Sequence, residues 1–273
     1  MAERIVRSEL LLPGPARALA GLLGVPVPDL ADGSPLPALW HWVYLLDRPA
    51  ESDLGTDGHP VRHTLPAPPA AGQRRMWAGG RVRFHGSLTL GNTAAKESSV
   101  LSVTEKQGRS GPLTFVTVGH RIEQDGRTVI EEEQDIVYRP AAPGSPTMQE
   151  DAPQAQLAEP GDWHIDVTPT LLFRFSALTY NAHRIHYDRD YARNVEGYPG
   201  LLVHGPLQVV AMAEAVRALG HTHTTAIDYR LLAPLFDHQG MVVTATPDGA
   251  QTTALVKDRH GRRTATASLR SDR

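Results

Sequence analysis

Phe173-Arg-Phe-Ser-Ala-Leu-Thr-Tyr-Asn-Ala-His-Arg-Ile-His-Tyr-Asp188 is the stretch on which the reading of this 273-residue chain turns. It sets Tyr180, Asn181, His183, Arg184, His186, Tyr187 and Asp188 inside an otherwise apolar segment. Soon after it comes His204-Gly205-Pro206, which opens the most hydrophobic helix the sequence offers, Pro206 to Leu219. Only Gln208, Glu214 and Arg217 are strongly polar there, and at 100° per residue they share one half of the wheel. Such a helix has to be covered over most of its circumference, as a curved sheet would do. Gly205 is expected at the N-cap and Pro206 at the first helical position, so the first N–H groups point unpaired out of a positive helix end. Proton-moving side chains beside a helix start that holds negative charge suit chemistry at a carbonyl compound.

The sequence around this pair reads as two helix-then-meander units. After the helix come strands expected over Ala226–Leu232, Met241–Thr246, Thr252–Lys257 and Arg263–Leu269, with turns at Pro247-Asp-Gly249 and Asp258-Arg-His-Gly261. In the first half Leu36–Leu46 reads as a buried helical piece, and Asp47–Gly72 as a long surface loop. Strands follow over Arg81–Leu90, Ser98–Lys106, Leu113–Ile122 and Thr128–Tyr138. Asp125-Gly126 is a hairpin signal, and such short connections leave no room for crossover helices, so the sheet is expected to be antiparallel. Ser8–Leu23 reads as a short amphipathic helix broken by Pro13. Pro140 to Gln156 has few large apolar residues and reads as the linker. The chain thus divides into 1–139, a linker 140–157, and 158–273.

Composition narrows the function. Net charge is −3, which argues against a nucleic-acid partner. There is no cysteine, so disulfides, thiolate nucleophiles and cysteine-held metals are excluded. No stretch reaches the roughly 18 apolar residues of a membrane span, and Glu3, Glu9, Pro13 and Pro15 speak against a leader. A cytoplasmic location is expected. His183-x-x-His186 and His221-Thr-His223 are weak metal candidates without a carboxylate at a familiar spacing, so no metal is expected. There is no Gly-x-Ser-x-Gly elbow and no phosphate-binding or dinucleotide glycine loop.

Tyr180-Asn-Ala-His-Arg-Ile-His186 followed by His204-Gly-Pro-Leu207 resembles the MaoC-type double-hotdog hydratases and dehydratases, most closely the branch acting on mesaconyl-C4-CoA and itaconyl-CoA. Arg75-Met-Trp-Ala-Gly-Gly80, Arg81–His85, Val103–Lys106, Gly108–Val118 and Glu133–Tyr138 are similar to it as well. The resemblance implies an α+β double hotdog, two copies of a central helix wrapped by an antiparallel sheet. It also implies hydration of an α,β-unsaturated acyl-CoA thioester, with CoA carried in by the substrate and no separate cofactor. In the wider superfamily an Asp stands where this chain has Asn181, and a neutral amide cannot take a proton from water. His186 is then expected as acid–base, Asn181 as the water-orienting group and Gly205 N–H as the donor to the thioester oxygen. His183, Arg184, Tyr180, His204, Trp77 and His85 are expected to bind substrate, Arg184 by holding a second carboxylate or else pairing with Asp188. Lysine occurs only at 96, 106 and 257, so phosphate contacts would fall to arginines. A homo-oligomer, a dimer for instance, is expected. Alternatives are a 3-hydroxyacyl-carrier-protein or polyketide-type dehydratase, and a non-catalytic acyl-CoA-binding protein.

Overall fold

A computed structural model describes residues 4–62, 64–65, 73–108, 111–140 and 161–272. The expected linker falls almost wholly outside them. Among these residues ten strands form one antiparallel sheet: β1 (Arg4–Leu10), β2 (Gln73–Phe84), β3 (Thr93–Gly108), β4 (Gly111–Gln124), β5 (Arg127–Pro140), β6 (Trp163–Ile165), β7 (Thr224–Leu231), β8 (Met241–Asp248), β9 (Gln251–Lys257) and β10 (Arg263–Ser271). Their spatial order is β1-β3-β4-β5-β2-β7-β10-β9-β8-β6. Read outward from the β2–β7 seam, each half places its second, fifth, fourth, third and first strands in that order. The repeat suspected from helix-then-meander order is therefore a repeat of topology.

The seam pairs Gly79–Arg83 with Ala226–Arg230. It needs glycine: a Cβ on Gly79 would stand 2.6 Å from the Tyr229 carbonyl, and one on Gly80 2.4 Å from that of Glu133. Trp42, Trp77 and Tyr229 pack edge-on or tilted across it, and Arg83 pairs with Asp228 at 2.7 Å.

Among the described residues, four α-helices accompany the sheet: α1 (Pro13–Leu23), α2 (Pro169–Leu178), α3 (Arg189–Asn194) and α4 (Gly205–Ala218). α4 packs against β8, β9 and β10. Its polar half is covered too. Gln208 takes the Thr264 hydroxyl (2.7 Å), and Glu214 takes the Trp40 indole N–H (2.8 Å) together with Arg217. The two halves differ here. Where the first half would carry its own long helix, Trp40–Val43 makes one 3-10 turn between Leu39 and Leu45, both in the left-handed region. Trp40, His41 and Val43 are buried as expected, but the helix is a single turn. His41, Trp42 and Tyr44 of this turn line the cavity described below.

Two elements differ from expectation near the N-terminus. Residues 4–10 form an exposed–intermediate alternating edge strand rather than the start of a helix, and the helix begins at Pro13. The first long strand starts at Gln73 and ends at Phe84, leaving Leu88 and Leu90 buried in a connection. No helix among the described residues is long and apolar enough to cross a membrane.

Candidate active site

Each part of the motif is held by a local device. Thr168 caps α2 by accepting the Leu171 N–H (3.0 Å), with Pro169 as its first helical residue. After α2, Tyr180 turns the chain at φ 52, and Asn181 N–H returns to the Ser176 carbonyl at 2.8 Å. The Asn181 side-chain oxygen then accepts the His183 N–H (3.0 Å), closing an Asx turn. Its amide NH₂ is what remains for the cavity. A 3-10 turn over Arg184–His186 follows, and Asp188 caps α3 through the Tyr191 N–H (3.0 Å). Leu202 N–H to Ile185 O (3.0 Å) and Val203 N–H to Leu235 O (2.8 Å) seat the chain entering α4. The helix starts one residue earlier than expected: His204 is the cap and Gly205 the first helical residue. The Gly205 N–H therefore has no acceptor within the helix.

These groups share one cavity of about 920 Å³, whose wall includes His186, Asn181, His183, Tyr180, Gly205 and Trp77. His186 is buried, and its Nδ1–H donates to the Leu202 carbonyl (2.7 Å), which leaves the Nε2 lone pair to act as acceptor. Burial lowers its pKa to about 4; the Leu202 carbonyl offsets this only partly, and His59 adds to it. His204 stacks on His186 (centroids 3.7 Å, 18°), and Ser176 bonds its Nε2 at 2.8 Å. Burial first, then His186, keeps His204 well below the usual histidine pKa. Burial does the same to His183, with His59, His186, Arg75 and His204 acting in the same sense. Three neutral imidazoles therefore stand together at neutral pH.

Three sequence assignments move. His204 is fully buried behind His186 and is not part of the cavity wall, so it supports the base rather than touching substrate. Arg184 pairs with Asp188 (2.8 and 3.1 Å), donates to Thr56 O (3.0 Å) and lies 4.2 Å over the Tyr191 ring, away from the wall. The salt-bridge alternative is the one realised. His85 is exposed and bonded to Glu131 at 2.8 Å, outside the cavity. Trp77 lines the cavity and also packs in the aromatic seam, its N–H bonded to Gly79 O at 2.9 Å.

The first half contributes groups that the motif did not indicate. The loop at 55–60 docks on the motif, with Arg184 N–H bonding Asp57 O at 2.9 Å and a Cβ on Gly58 colliding with Ala182 O at 1.8 Å. Asp57 accepts the His59 N–H and ring Nδ1 (3.0 and 3.2 Å), and the His59 ring lies 3.9 Å from that of His183. One ligand atom each from Asp57, His59 and His183 lies within 4.8 Å of the others, a donor set that could hold a cation. Arg75 also faces the cavity. Its signal was strand alternation, since Arg75 and Trp77 are two apart and share a face. At the far end Glu132 is bonded by His41 (3.0 Å), Trp42 (3.0 Å) and Gln134 (2.7 Å). Burial alone would raise its pKa, but His41, His120 and Gln134 together bring it down to about 2.

Residues 39–237 match the family model described as hydroxyacyl-thioester dehydratase type 2. The chain belongs to that family. It is 48% identical over 232 residues to mesaconyl-C(4)-CoA hydratase of Chloroflexus aurantiacus, covering 83% of this chain and 79% of that one. Its fold is that of a MaoC-like dehydratase from Phytophthora capsici (TM-score 0.71, 11% identity, 100% and 96% coverage). It also matches a Mycobacterium tuberculosis protein described as a double hotdog (TM-score 0.59, 16% identity, 99% and 95% coverage). The α+β double hotdog expected from the sequence is thus the fold observed. As a member of this family the chain is a hydro-lyase of the hydratase/dehydratase type, acting on acyl thioesters.

Proposed function

We propose that the protein hydrates the double bond of a short α,β-unsaturated acyl-CoA, with His186 as the single acid–base. Water attacks C3, the π electrons move to the thioester oxygen, and the water proton passes to His186 Nε2 and from there to C2. The observation that carries this reading is that His186, with Nε2 left as acceptor, lines the same cavity as the unpaired N–H of Gly205. Gly205 N–H and the positive end of α4 meet the charge developing on oxygen. A preorganised donor of that kind contributes about 3 kcal/mol to the transition state. A pKa near 4 makes His186 a weak base but a strong acid for returning the proton to C2, and the growing enolate charge raises its affinity for that proton. The Asn181 amide NH₂ orients the water.

CoA as the carrier is supported by the relative from Chloroflexus aurantiacus, whose name specifies a CoA thioester. In this reading the chain divides near 140–157, residues 1–139 supply the acyl pocket and 158–273 the motif. No cofactor besides the substrate's CoA takes part, and the protein works in the cytoplasm as a homo-oligomer. Asn181 in the place of an acid favours one other reading, binding of acyl-CoA without turnover. Loss of conjugated absorbance with mesaconyl-C4-CoA or crotonyl-CoA separates the two. Hydration by the wild type, reduced at least about 100-fold in His186→Gln, supports the proposal; binding with no hydration would leave only the second reading.

A further inference from the structure

We propose that Arg75 anchors a second carboxylate on the acyl chain, so that the cavity selects a dicarboxylic acyl thioester over a neutral one of equal length. The inference rests on the acyl-thioester reading above. Arg184, the sequence's candidate for this task, is occupied by Asp188, Tyr191 and Thr56 outside the cavity wall.

Arg75 is different. Its side chain lines the cavity and has no hydrogen bond or ion pair among the described residues. Its neighbouring acid, Asp57, has both carboxylate oxygens committed to His59. Of the other two arginines of the wall, Arg74 is bonded to the Glu196 carboxylate (3.0 Å) and carbonyl (2.8 Å). Arg139 stands opposite Arg74 across the β2–β5 pair with its Nε buried and unpartnered, one step out of the alternation that Arg75 shares with Trp77. Burial draws the Arg75 pKa below the ordinary arginine value, with Tyr138, Asp57 and Asp47 opposing it, yet a guanidinium stays charged in proteins. A desolvated cation without a partner gains more from an incoming carboxylate than an exposed one does, and its planar fork fits that group bidentately.

Position decides which anion it receives. Arg75 shares the wall with His183 and His186, and its neighbour Arg74 is bonded to Glu196 just beyond α3, which seats this end of β2 beside the motif. Lys96, also buried in the wall, is instead close to Glu132. Glu132 lies six residues along β5 from Tyr138, the cross-strand partner of Arg75, or about 20 Å away. With bonds near 1.5 Å, the distal carboxylate of a four-carbon chain lies roughly 4–5 Å from its thioester carbonyl. That reach is about a quarter of the separation along the strands, so a chain held at the Arg75 end does not span to Lys96.

The test measures binding apart from turnover. Calorimetry compares succinyl-CoA with butyryl-CoA, saturated four-carbon ligands that differ in carboxylate against methyl, on wild type, Arg75→Met and Arg75→Lys. The expected result is at least about 30-fold tighter binding of succinyl-CoA by wild type, the lower bound for a buried charge contact. That preference disappears in Arg75→Met and is partly kept in Arg75→Lys. Equal binding of both ligands by wild type, or a preference that survives Arg75→Met, overturns the proposal. So does an equal loss for both ligands in the variants, which would assign Arg75 to the CoA phosphates or the fold. Because neither ligand can be hydrated, a failure of the hydratase reading would show separately, as this selectivity without turnover.

Discussion

Lowering the pH from 8 to 5 should destabilise this protein well before its carboxylates titrate, because His183, His186 and His204 are held neutral together. His186 has a folded pKa of about 4, against 6.5 for an ordinary histidine. Between those values the unfolded chain binds the proton that the folded chain refuses. Stability is therefore full above about 6.5 and falls by about 1.4 kcal/mol per pH unit down to about 4. At pH 5 the loss from His186 alone is about 2 kcal/mol. His183 and His204 are displaced in the same direction by burial and add to it. Total stabilities of ordinary domains are about 5–15 kcal/mol, so the change is readable. Urea unfolding at the two pH values measures it, with His186→Gln as the comparison. The variant's own pH 8-to-5 difference should be smaller than wild type's by about 2 kcal/mol. A wild-type difference below about 1 kcal/mol, or one unchanged in the variant, would refute the neutral-imidazole reasoning.

Other substitutions address the remaining parts of the site. Gly58→Ala puts a Cβ 1.8 Å from Ala182 O at φ +85, so the loop at 55–60 must leave the motif. The expected outcome is at least about a tenfold fall in kcat/KM with about 1–3 kcal/mol of stability lost, and wild-type rates would contradict it. Gly205→Pro removes the proposed oxyanion donor at a helix position where proline is tolerated. Leu231→Ala supplies the space, since a Cβ at 205 lies 2.3 Å from Leu231 Cδ1. Relative to Leu231→Ala alone, kcat should drop about 10²–10³-fold; an unchanged kcat would remove Gly205 from the mechanism. Arg184→Gln and His85→Ala should leave KM within about twofold, as substitutions in surface pairs do. A KM raised about tenfold by either, in steady-state kinetics, would return that residue to the substrate site.

What could be read from the sequence was what is local. The β4–β5 hairpin follows from Asp125-Gly126, and the β8–β9 turn from Pro247-Asp-Gly249. Residues 181–186 are close in space because an Asx turn and a 3-10 turn make them so. The early start of β2 was hidden because Gly79-Gly80 looks like a break by local rules, whereas the seam needs it for close approach to Tyr229 and Glu133. The edge strand at 4–10 was hidden by half-exposed alternation ahead of a proline-rich helix start. Asp57 and His59 could not be assigned from spacing, because docking of the 55–60 loop on the motif brings them to His183, whereas Arg75 carried only its alternation with Trp77. For Arg184 the sequence left two roles open, a substrate carboxylate or Asp188 four residues on, and Asp188 is the one that holds it.

The central claim is that one thioester lies between the imidazole of residue 186 and the first amide of α4. A crystal structure with succinyl-CoA, an unreactive mimic of the enoyl substrate, tests this most directly. The account predicts the thioester oxygen about 3 Å from Gly205 N, with the β-carbon facing His186 Nε2. A thioester bound elsewhere in the cavity, with neither group in contact, would contradict it.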